Sequence, residues 1–153
     1  MLYGKKAFTM IELIFVIVIL GILAAVAIPK LAATRDDAYT AKLATNIMTG
    51  AGEIASYALS NAEVESDLSI MSNAMTSMSV TGDAVLAPNK AIVKSGTIDS
   101  CVEISIDTNV STGTDTLNIT FGSAGTDNKC IALQSSINAN EYPMKLRGRS
   151  AKF

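Results

Sequence analysis

The chain of 153 residues contains no histidine and no tryptophan, and aromatic residues make up only 5% of it. Without histidine there is no imidazole to serve as a general base or to ligate zinc, so most hydrolase and zinc-enzyme chemistries fall away before any motif is sought. Charge is scarce as well. Charged residues are 17% of the chain, and 12 basic against 14 acidic side chains leave a formal net charge of -2, so binding of nucleic acid by bulk electrostatics is not indicated. The length accommodates one domain and an appendage rather than a second catalytic module. What is in excess is apolar content, 49% of residues, which is high for a soluble domain of this size.

That excess lies at the N-terminus. Leu13 to Ile28 has no polar side chain, and Phe8 to Ile28 has one charge, Glu12. At a rise of about 1.5 Å per residue this stretch makes a helix of roughly 31 Å, close to the hydrocarbon thickness of a bilayer. Lys5 and Lys6 precede it, and positive charge is retained on the cytoplasmic side, which places the rest of the chain outside. A secretory signal cut after Ala27 is the alternative, since Ala25, Val26 and Ala27 fit the small-x-small pattern. Glu12 argues against it: an ionisable group inside an apolar helix is costly, and a discarded signal has no use for one.

The run Gly4, Lys5, Lys6, Ala7, Phe8, Thr9, Met10, Ile11, Glu12, Leu13, followed by the long Ile/Val/Leu stretch and Pro29, resembles the class III signal of type IV pilins and of the pseudopilins of type II secretion. The resemblance covers about the first thirty residues and rests on the basic leader, Phe8 and the spacing of Glu12 and Pro29. Ala7 departs from it, because the family usually has Gly before the cut; Ala is small enough that processing is still expected. The resemblance implies a leader at 1–7, cleavage between Ala7 and Phe8 by a prepilin peptidase and N-methylation of Phe8. It implies a filament-core helix at 8–28. The amine of one subunit would then neutralise Glu12 of a neighbour, since an unpaired buried charge is expensive. The partners implied are further copies of the chain, the membrane before assembly, and an inner-membrane platform with an assembly ATPase. The implied location is the inner membrane, then an extracellular or periplasmic filament. No cofactor or metal is expected, and no catalysis.

After Pro29 the apolar pattern becomes periodic. Ala44, Ile47, Ala51, Ile54 and Ala58, three and four residues apart, predict an amphipathic helix over 29–60, continuing a spine about 80 Å long. Pro29 predicts a kink or local unwinding, and Gly50 and Gly52 a second weak point. From 61 to 153 the composition turns to Ser, Thr, Asn, Asp and Gly. Leu68, Met71, Met75 and Met78 predict a short helix with a Met face on the core. Residues 101–107 and 116–121 alternate as strands, and 130–133 reads, less clearly, as a third. An α+β fold follows, pilin-like, with the long helix covering a small antiparallel sheet. The basic tail, with Lys145, Arg147, Arg149 and Lys152, reads as solvated.

Cys101 and Cys130 are the only cysteines, both in the part placed outside the cytoplasm, where a disulfide is expected. Closing 28 intervening residues stabilises by about 3 to 4 kcal/mol on the chain-entropy account. Asp107 to Asp115 superficially resembles a calcium loop, but its Gly113 is misplaced and no Glu closes it, so a hairpin turn is the better reading. Asp107, Asn109 and Ser111 also form an acidic N-glycosylation sequon. Major pseudopilins commonly carry a calcium site with a Trp-containing motif; the missing Trp leans the reading from pseudopilus towards pilus.

Overall fold

The structure is a computed structural model that describes residues 8–109 and 113–147. Ala7, Ser111, Arg149 and Lys152 lie outside the described residues, and the Arg147 side chain is likewise not described. The chain divides into two compact units, residues 1–37 and 38–153.

Helix α1 spans Met10–Asn61. In the first unit it continues through Pro29 without unwinding, although proline cannot donate to the carbonyl of Ala25. Local unwinding is therefore absent at Pro29: one missing bond is tolerated where the flanking residues are strong helix formers. In the second unit α1 buries Leu43, Ala44, Ile47, Gly50, Ala51, Ile54 and Ala58, one stripe at helical spacing. Its last carbonyls are met by side chains, with Ser60 Oγ and Asn61 Nδ2 both donating to Tyr57 O, at 3.0 and 3.1 Å.

The methionine-rich stretch forms two helices rather than one, α2 (Leu68–Met71) and α3 (Asn73–Thr81). Ser72 interrupts them in an extended conformation and caps α3, accepting from the Met75 N–H at 3.0 Å. Gly82 ends α3 in the left-handed region, at φ 80°. Leu68, Met71, Met75 and Met78 are all buried. Gly50 is the point of close approach: a Cβ there would stand within clash distance of Met75 Cε and 3.3 Å from both Met75 Cγ and Ser72 Oγ.

Five antiparallel strands follow in meander order: β1 (Ala84–Ala87), β2 (Lys90–Ser95), β3 (Ile98–Asn109), β4 (Thr114–Phe121) and β5 (Met144–Arg147). Register stacks Ala91 on Ile104, Ile104 on Ile119 and Ile106 on Leu117, an apolar row that joins the α1 stripe in a single core. β1 and β2 are additions to the strands legible in the sequence. The expected hairpin joins β3 to β4, paired out to Asn109 and Thr114.

Two readings need correction. Residues 130–133 are not a strand but part of helix α4 (Asn128–Ser135), because Asp127 caps it by accepting from the Lys129 and Cys130 N–H groups at 2.9 and 3.0 Å. The tail is not wholly solvated either. Residues 144–147 form edge strand β5, with Leu146 buried and Lys145 exposed. Cys101 and Val102 are adjacent on β3 and both fully buried, beside the register irregularity between β2 and β3. The bridge to Cys130 ties α4 to β3 at this point.

Candidate functional site

The N-terminal segment is the first candidate. Thr9 precedes α1, and its backbone N–H and its hydroxyl both donate to Glu12 Oε2, each at 2.8 Å. The Glu12 N–H returns a long bond to Thr9 Oγ1, at 3.4 Å. This is a reciprocal capping box: a threonine ahead of the first turn and a glutamate three residues on satisfy each other's backbone donors. It assigns Thr9 a role that the sequence reading missed, although Thr-x-x-Glu before an apolar run is the recognised signal. The carboxylate thus sits at the positive end of the helix, where negative charge is favoured.

Every residue from Phe8 to Tyr39 is exposed, Phe8 to 86%. α1 is long and apolar enough to cross a membrane. An apolar helix with no buried side chain has to be covered, either by lipid or by protein. Pro29 lies in this exposed stretch and touches none of the groups around Glu12 that carry the cap.

In the second unit Cys101 and Cys130 stand at disulfide-bond distance, with Sγ to Sγ 1.97 Å and Cα to Cα 5.7 Å. They are remote in sequence from Phe8, Glu12 and Pro29, and belong to the domain rather than to the N-terminal segment. Two open clefts mark the domain surface. One, of about 410 Å3, is lined by Asp67, Val80 and Leu86; the other, of about 680 Å3, by Glu53, Tyr57 and Ile70. Each carboxylate is engaged in capping. Asp67 accepts from the Ser69 N–H at 2.9 Å, and Glu53 Oε2 accepts from the Ala74 N–H at 3.0 Å and the Ser72 hydroxyl at 2.6 Å. Those bonds hold the Glu53 carboxyl below its usual range, the Ala74 N–H contributing most. Tyr39 donates its hydroxyl to Asp83, which with partial desolvation pushes the phenol up to about 12. Among the described residues no group of three or more His, Cys, Asp or Glu could hold a metal ion.

An exposed apolar helix, capped through an acidic residue at its start, fits a membrane-anchored precursor. Residues 3–28 match the prokaryotic N-terminal methylation motif. That motif is the class III signal of type IV pilins and pseudopilins, and the α+β arrangement of the domain that follows is pilin-like. No curated protein and no solved structure matches it.

Proposed function

We propose that the protein is a structural subunit that polymerises through its N-terminal helix into a type IV pilus or type IV pilus-like filament. A prepilin peptidase cuts between Ala7 and Phe8 and N-methylates Phe8. The apolar helix anchors the subunit in the inner membrane until an assembly platform, driven by its ATPase, extracts it. The observation that carries this reading is the methylation motif over residues 3–28, with Glu12 inside the apolar run. In the filament the methylated amine of one subunit meets Glu12 of another, exchanging the Thr9 donors of the free chain for an ion pair and fixing the axial stagger. That exchange suits a low-dielectric core, where a carboxylate needs a charged or hydrogen-bonding partner.

The intact mass of the mature protein tests it. Cleavage after Ala7 leaves 146 residues with a methylated Phe8, whereas cleavage after Ala27 leaves 126 and a soluble secreted protein. The shorter product would overturn the proposal. The same motif opens the pseudopilins of type II secretion, which is the second reading. Loss of surface fibres on deletion, with secretion intact, separates the two.

A further inference from the structure

Helix α4 is tied to the sheet at both ends by groups other than sulfur. At its start, Asp127 Oδ2 accepts from the Thr97 N–H and the Thr97 hydroxyl, both at 2.8 Å, linking the helix to the β2–β3 turn. Asp127 Oδ1 meanwhile caps α4 itself, through the N–H groups of Lys129 and Cys130. The turn is shaped for this carboxylate: Gly96 has φ 60°, and a Cβ there would run into Asp127. Towards the other end, Gln134 Nε2 donates to Cys101 O at 2.8 Å and to Gly122 O at 2.9 Å, joining α4 to β3 and to the segment after β4. Gln134 stands four residues after Cys130, so both project from one helix face, and its Nε2 lies 3.5 Å from Cys130 Sγ. Leu133 and Ile137 are buried beneath them.

We propose that Asp127 and Gln134 form a seat that docks α4 on the sheet while the cysteines are still reduced, and so presents Cys130 to Cys101 for oxidation. The disulfide then locks a helix that is already in place. Gln134 fixes the axial position, because its single amide bridges two carbonyls that flank the Cys101 end of the sheet; Asp127 fixes the near end, one turn before Cys130. Both are positioning residues, not reactive ones. Oxidation itself is ordinary exchange: one thiolate attacks a small-molecule disulfide such as oxidised glutathione, releasing one glutathione thiol. The second protein thiolate then displaces the second glutathione and forms the Sγ–Sγ bond. Two electrons pass from the cysteine pair to the oxidised glutathione, which leaves as two reduced molecules.

The test measures the effective concentration of the pair by equilibrating the full chain, in detergent micelles, with reduced and oxidised glutathione and trapping free thiols by alkylation. In native buffer Gln134→Leu and Asp127→Ala should each lower it at least about 3-fold, since Gln134 donates to two carbonyls and Asp127 accepts from four groups, each lost net bond being a factor of about 2 to 10. In denaturant the variants should equal the wild type. Lys90→Ala, which removes only the 3.6 Å ion pair to Glu103 on the open face of the sheet, should leave it unchanged in both. Equal values for all chains in native buffer would overturn the proposal, as would a deficit that persists in denaturant. A second measurement stands even if those variants fold poorly. In Cys101→Ala/Cys130→Ala the amides of residues 130–135 should keep their protection from hydrogen exchange; exchange at unfolded rates would mean that the bond, not the seat, holds α4.

Discussion

Gly50 and Gly52 stand two residues apart in α1, yet alanine should have opposite effects at the two positions. Alanine is favoured over glycine in a helix interior by about 0.8–1.0 kcal/mol. At Gly52 nothing lies within 4 Å of the position a Cβ would take, so Gly52→Ala should gain that full amount. At Gly50 the same methyl meets Met75 Cε and Cγ and Ser72 Oγ, and Met75 is itself fully buried. Overpacking of this kind costs about 1–3 kcal/mol. Gly50→Ala should therefore lie between neutral and about 2 kcal/mol destabilising, a gap of about 1–3 kcal/mol between the two variants. The push also falls on Ser72, whose hydroxyl caps α3 and donates to Glu53. Urea unfolding followed by circular dichroism, on a chain beginning at Lys30, reads both. Met75→Ala supplies the decisive background: with the obstructing side chain gone, Gly50→Ala should become stabilising, a coupling of at least about 1 kcal/mol between contacting residues. If Gly50→Ala stabilises the wild-type background as much as Gly52→Ala does, the packing argument is wrong.

On the proposed assembly, Glu12→Ala should be processed and retained in the membrane but enter wild-type filaments poorly, because the amine of a neighbouring subunit would lose its partner; normal recovery in a shear assay would contradict this. Alkylation of the native protein followed by peptide mapping should find Cys101 and Cys130 bridged, and two alkylated thiols would refute it. The chain starting at Lys30 should be soluble and monomeric by light scattering, since most of its contiguous apolar surface has gone with residues 13–28; stable filaments would move the assembly determinant into the domain. Asp127 should make α4 acid-sensitive. The Thr97 N–H above all, then the Cys130 N–H, hold its carboxyl down to about 2. A depressed folded-state pKa adds stability present above the ordinary carboxylate value of about 3.9 and lost as pH falls through about 2, so α4 amide protection should fall in that window in the wild type and lack that step in Asp127→Ala.

The α1 stripe was legible because Ala44, Ile47, Ala51, Ile54 and Ala58 keep helical spacing without interruption, and β3 and β4 because their apolar residues strictly alternate. β2 escaped because Ile92, on the outward face, sits between Ala91 and Val93 and turns a period of two into a short apolar run. β5 escaped because its charges dominate: Met144 and Leu146 alternate with Lys145 and Arg147, a strand pattern that reads as a basic tail. α4 was misread from its central Ile131, Ala132 and Leu133, although Asp127 marks a cap and Cys130, Leu133 and Ile137 are spaced as a helix face. At the N-terminus Glu12 stood out by its charge, whereas Thr9 did not, since a threonine's role as a cap depends on which residue begins the helix.

The strand order has a consequence for how the domain forms as the chain emerges. Strand order equals chain order, so each strand from β2 to β4 pairs with the one that emerged just before it, and none of these strands waits for a distant strand partner. The exception is β5, which pairs with β4 only after α4 has intervened. Among the described residues Leu146, almost fully buried, arrives last of the core side chains. A nascent domain can thus build four strands vectorially while keeping its β4 edge open, and that unpaired edge closes only when residues 144–147 have been delivered.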